Sequence, residues 1–167
     1  MCDLNQKAHF LCGLTCASVR PQLHKLDIYL EPNDNVGFEK WFQVELAAEL
    51  SLAGYSFTIS PTLGDGTELD LEIKRKANQV NPLLVELKAG SYCGGRDFDQ
   101  LRNGAAHCDN QNWDRFIGCL FLGRFDWARR EIRLNFEENG YDVVALEYVG
   151  GGPKKTKWWV GVARRKS

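Results

Sequence analysis

Two short segments of this chain carry charged side chains where a sheet core would be expected. In PLLVELKAG, Glu86 and Lys88 interrupt an otherwise apolar run. Side chains alternate along a strand, so these two share one face and Leu83, Val85 and Leu87 share the other. In TELDLEIKR, Leu69, Leu71 and Ile73 point one way, and Glu68, Asp70, Glu72 and Lys74 point the other. Burying a carboxylate without a partner costs several kcal/mol, so Glu86 requires compensation. A Glu–Lys ion pair on a half-solvated sheet would provide it, and by itself Glu-x-Lys is a weak signal.

The elements that would position these residues follow from period and punctuation. Residues 38–53, FEKWFQVELAAELSLA, place apolar side chains at 38, 42, 46, 50 and 53, the stripe of an amphipathic helix, and Gly54 stops it. YSFTIS reads as a strand, PTLGDG as a turn and TELDLEIKR as the second arm of a hairpin. PLLVELKAG follows as a strand suited to the inside of a sheet, then DFDQLRNGAAHC as a helix weakened by Gly104, then RFIGCLFLG as a buried strand. The order is αβββαβ. A further helix in DWARREIRLNFEENG ends at Gly140, and YDVVALEYV is another strand. WWVGVARR reads as a last strand or a basic tail. The first 35 residues are the least legible, a Cys-rich helical or irregular lead followed by a strand in HKLDIYL and a turn in EPNDNVG.

With a helix acid, an Asp on the second strand and Glu-x-Lys on the third, residues 36–123 resemble the PD-(D/E)XK nuclease superfamily, the restriction-endonuclease-like fold. The resemblance implies an α/β protein with an αβββαβ core, a mixed central sheet flanked by helices, and a C-terminal helix and strands added to it. It implies a nuclease that hydrolyses phosphodiester bonds with Mg²⁺ or Mn²⁺. Asp70 and Glu86 would be metal ligands, joined by the main-chain carbonyl of Leu87 and by the helix acid Glu45. Lys88 would stand beside the attacking water, and Gln100 corresponds to a Gln that several branches carry after the catalytic strand. Glu39 and Glu49 compete for the helix position. Glu45 is preferred because it shares a face with Trp41, Ala48 and Leu52, where an acid is least expected without a function. Two departures from the family pattern stand out: no Pro directly precedes Asp70, and Gly104 follows Gln100 by four residues where some branches have an aromatic residue.

The totals bound these expectations. A length of 167 residues with 44% hydrophobic content suits one domain: an N-terminal extension over 1–35, a core over 36–123 and additions over 124–167. The 21 basic side chains nearly balance the 22 acidic ones, so contact with nucleic acid, DNA ahead of RNA, must come from local patches. The C-terminal KKTKWWVGVARRKS is one such patch, set against the plainer reading of a capping strand with a solvated tail. No apolar run is long enough to span a membrane and no signal-peptide pattern is present, so a soluble intracellular protein is expected. The oligomeric state stays open, with a homodimer among the options. Six irregularly spaced cysteines read as reduced thiols. A zinc site of Cys12 and Cys16 with His9 and His24 is the rival reading, and a nuclease-like binding module without activity is another. His107 with Asp109 offers no trusted catalytic spacing.

Overall fold

Strand alternation and helical stripes assemble into one six-stranded sheet covered on both faces. The computed structural model describes residues 4–29, 35–64, 66, 68–74, 82–92, 95–109, 116–151 and 156–166. Its elements are α1 (Leu4–Val19), a 3₁₀ turn (Arg20–Gln22), α2 (Leu23–Tyr29), α3 (Asn35–Leu52), β1 (Ser56–Ile59), β2 (Leu71–Lys74), β3 (Leu83–Ser91), α4 (Gly95–Asp109), β4 (Phe116–Arg124), α5 (Arg129–Glu138), β5 (Tyr141–Gly151) and β6 (Lys157–Arg165). The strand order is β1-β2-β3-β4-β6-β5. Among the described strands only β3 and β4 run parallel, and α4 supplies the crossover that a parallel pair needs. From α3 to β4 the order is the expected αβββαβ, with β1 and β2 paired antiparallel as a hairpin.

Each face of the sheet has its own core. Leu71, Ile73, Val85, Leu87 and Ala89 pack with Leu11, Cys12 and Cys16 of α1 and with Phe38, Phe42, Leu46 and Leu50 of α3. On the other face Leu84, Cys119 and Phe121 meet Phe98, Leu101 and Ala105 of α4 and Ile132 and Phe136 of α5. Leu71 and Ile73 share one face with Leu83, Val85 and Leu87, as alternation expects, but Leu69, which precedes β2, is buried in the opposite core, so the alternation read across TELDLEIKR does not extend to its start. Leu84 is buried on the same face as Glu86 and Lys88, because β3 is internal and covered on both sides.

Several expectations change. The described part of HKLDIYL, His24 to Tyr29, belongs to α2 rather than a strand: Leu23 and Leu26, three residues apart, lie on one helical face, and Leu26 is buried against the α1–α3 core. Within the N-terminal extension α1 packs into the core, and within the C-terminal additions β5 and β6 lie in the same sheet. WWVGVARR is an internal strand, β6, between β4 and β5. Its two tryptophans are buried on opposite faces, Trp158 in one core and Trp159 in the other, so neither is free to stack on a base. Arg165 and Lys166 at its end stay exposed. Cys12 and Cys16 are buried thiols, with Cys12 Sγ donating to the Val160 carbonyl at 3.4 Å, whereas His9 and His24 are exposed, so the four do not converge on zinc. Residues 31–34 of the expected turn, Leu30 of HKLDIYL, Thr67 and Arg75 of TELDLEIKR, and the stretches 76–81 and 152–155 lie outside the described residues, as do the side chains of His107 and Asp109. No helix among the described residues is long and apolar enough to cross a membrane.

Candidate active site

The site forms where β2 leaves β3. Their pairing runs only from Ile73↔Leu83 to Leu71↔Val85, while β3 continues to Ser91. Beyond Val85, the N–H groups on that side of β3 have no strand partner, and unpaired main-chain donors are costly to bury. Carboxylates take them instead. Asp70, at a bend one residue before β2, accepts from the Leu87 N–H through Oδ2 at 2.7 Å. Glu39 of α3 accepts from the Ala89 N–H. In a strand the N–H and C=O of one residue point to the same side, so the Leu87 carbonyl also opens on Asp70.

Asp70 is held from its main chain as well. Its carbonyl accepts from Gln43 Nε2 at 2.7 Å and from the Ser60 N–H at 3.0 Å. Ser60 has φ 50°, a left-handed conformation uncommon for a residue with a side chain, at the point where β1 turns toward Asp70. Gln43 is only 3% exposed, and its Oε1 accepts from Lys40 Nζ at 3.2 Å. Gln43→Leu keeps the apolar volume but removes the donor. Because the Ser60 N–H still serves the Asp70 carbonyl, a loss of about 1 kcal/mol is expected in urea unfolding. An unchanged midpoint would show that Ser60 and Leu87 hold Asp70 without help.

Glu86 and Lys88 lie on the α4 face of β3. Lys88 Nζ stands 3.3 Å from Glu86 Oε1 and 3.4 Å from Glu39 Oε1, joining a strand acid to a helix acid. On β4, opposite Glu86, the register slips between the pairs Leu84↔Phe116 and Glu86↔Cys119. This bulge contains Gly118, whose φ of +102° suits glycine and whose Cβ would strike the Ala163 carbonyl oxygen at 2.3 Å.

Burial pushes the Glu86 carboxyl up to about 7, the nearby Asp70 charge adds to this, and Lys88 opposes it. Burial also raises Glu39, again against the pull of Lys88. For Lys88, burial works to lower the pKa, but Glu86, Glu39 and Asp70 together outweigh it and hold the ammonium above the ordinary lysine value. Among the described residues, Asp70, Glu86 and Glu39 thus surround Lys88, and Glu86, more enclosed than Glu39, gives up its charge near neutrality.

Of the residues expected from the sequence, Asp70, Glu86, Lys88 and the Leu87 main chain are brought together. Glu45 is not. Its carboxylate accepts from Gln22 Nε2 at 2.7 Å, and Glu39, the weighed competitor, occupies the place beside Lys88. The reason is helix phase: Ala48 and Leu52, which share a face with Glu45, are exposed, Leu52 by 83%, so that face points outward. Gln100 is exposed on α4, one turn before Gly104, and among the described residues it makes no hydrogen bond with the cluster. Sequence reasoning missed Gln43. Its one signal was spacing, since positions 39 and 43 lie one helical turn apart beside the apolar stripe.

The donor set consists of hard oxygens, as Mg²⁺ and Mn²⁺ prefer. The Glu86 and Asp70 carboxylates interact with each other, and Lys88 links Glu86 to Glu39. The carboxylates are turned toward Lys88 and main-chain N–H groups, and among the described residues no three His, Cys, Asp or Glu side chains form a ready-made ion site. What fits a dication is the chemistry: an acidic excess and a carboxyl that ionises unwillingly in its absence. Comparison with protein-family models, curated proteins and solved structures finds no match for this chain.

Proposed function

We propose that this protein is a divalent-metal-dependent nuclease built on a restriction-endonuclease-like core from α3 to β4. The observation that carries the reading is the meeting of Asp70, Glu86, Lys88 and Glu39 at the open edge of β3, with Glu86 pushed up to about 7. An ordinary surface ion pair needs neither the enclosure nor the third and fourth partners. Asp70, Glu86 and the Leu87 carbonyl would hold Mg²⁺ or Mn²⁺, with Glu39 as the helix acid. A bound cation would supply a nucleophilic water near neutral pH and would neutralise charge on the scissile phosphate. Lys88 donates hydrogen bonds to that phosphate or to the water, where its fixed charge favours the pentavalent state over the ground state. Glu39 and Glu86 keep the ammonium protonated and aimed. Exposed Arg165 and Lys166 lie at the end of β6 as candidate backbone contacts for a nucleic acid, DNA before RNA.

Purified protein incubated with single-stranded and duplex DNA and RNA should cleave at least one of the four with Mg²⁺ or Mn²⁺ and none with EDTA. Absence of metal-dependent cleavage from all four would overturn the reading.

A further inference from the structure

A glycine in a helix interior weakens the helix relative to Ala unless something needs the space. Gly104 lies well inside α4 and is buried against β3. A Cβ there would stand 2.9 Å from Lys88 Cγ and 3.1 Å from Lys88 Cε, while Cys119 Sγ at 3.4 Å would remain at ordinary contact distance. The missing side chain is thus matched to one neighbour. Lys88 leaves β3 beneath α4, runs past Gly104, and delivers its ammonium to Glu86 and Glu39 at the open edge. Glu86 and Glu39 fix the far end of this side chain, and the stem has α4 above it and the sheet below. A methyl group on α4 has to push the stem aside and move Nζ.

We infer that Gly104 is a positioning residue: its bare Cα forms the channel in α4 that sets where the Lys88 ammonium stands. Ala at 104 shifts Nζ away from its two carboxylates without removing a charge. The catalytic consequence rests on the nuclease reading, but the packing relation does not.

The test is a cycle of Gly104→Ala in the full-length parent and in Lys88→Ala, read first by thermal melting. In Lys88→Ala the stem is gone, so Ala at 104 should raise the melting temperature by about 2–4 °C, the gain of Ala over Gly in a helix of a chain this size. In the parent the same change should lower it. If Gly104→Ala alone fails to fold, adding Lys88→Ala should restore the fold. The same sign in both backgrounds, or no such restoration, would overturn the inference, because Gly104 would then answer to some other neighbour. The second readout is kinetic: Gly104→Ala in a cleaving parent should lower kcat by about 100-fold, the scale of a 1 Å misplacement, with little change in KM. A raised KM at unchanged kcat would also count against it. A parent that cleaves nothing would sink the nuclease reading, while the melting cycle still decides on Gly104.

Discussion

Asp70→Ala, Glu86→Ala and Lys88→Ala should each lower metal-dependent cleavage by about 100-fold or more while leaving the far-UV circular dichroism of the parent. The magnitude follows from removing a group that acts on charge developing in the transition state, which costs about 10²–10³ in kcat. The three changes should differ in metal binding. Asp70→Ala and Glu86→Ala remove oxygen donors and weaken Mn²⁺ binding, measured by calorimetry. Lys88→Ala removes an ammonium that is no ligand, and so leaves binding as tight or tighter. Two helix variants complete the set: Glu39→Ala should impair cleavage and Glu45→Ala should not, since Glu45 is engaged with Gln22 away from Lys88. Parent-like cleavage by Lys88→Ala would reduce its ammonium to a counter-ion for Glu39 and Glu86. Loss of cleavage in Glu45→Ala with Glu39→Ala intact would restore the helix assignment made from sequence.

That assignment shows where legibility ended. Period-two alternation put Glu86 and Lys88 on one face of β3, because a strand's faces depend on parity alone, but in TELDLEIKR it reached only Leu71–Lys74, with Asp70 at a bend before the strand and Leu69 turned into the opposite core. Helix phase was harder. The stripe 38, 42, 46, 50 was correct, but it does not reveal which of its two flanks meets the open edge of β3. Glu45 was preferred for its apolar companions, of which Ala48 and Leu52 are exposed and Trp41 packs at the margin of the core. Gln43 was invisible because its role depends on where Asp70 places a carbonyl. In HKLDIYL, a short alternating segment was absorbed into a helix, the usual ambiguity of brief apolar patterns. The paired tryptophans of β6 read as a surface feature because basic residues flank them, yet neighbouring strand positions necessarily face opposite cores when both faces are covered.

Glu86→Gln should make the metal-free protein more stable than the parent above neutral pH. Burial and the Asp70 charge raise the folded Glu86 carboxyl from its usual 4.5 to about 7. A raised carboxyl favours folding while it stays protonated. Its contribution is complete below the unfolded pKa and is lost as pH climbs through the folded value, because in that window the unfolded chain has already released the proton. The window runs from about 4.5 to about 7, and the loss across it is of the order of 3 kcal/mol. Lys88 stays charged throughout, being held above its ordinary value, and so does not confuse the sign. Glu39, also raised, leaves a smaller slope of the same direction in the mutant. At pH 4 the two proteins should therefore melt alike, and at pH 8 Glu86→Gln should melt several degrees higher. Mn²⁺ should reverse the order. A cation that binds only the folded parent adds RT ln(1 + [L]/Kd), about 2.7 kcal/mol at a hundredfold excess over Kd, and the Gln variant, lacking the ionised donor, should respond far less. Curves that stay parallel from pH 4 to pH 8 would mean that Glu86 ionises like a surface carboxylate. An equal response to Mn²⁺ would place the cation away from Glu86, and the site at the open edge of β3 would lose its physical basis.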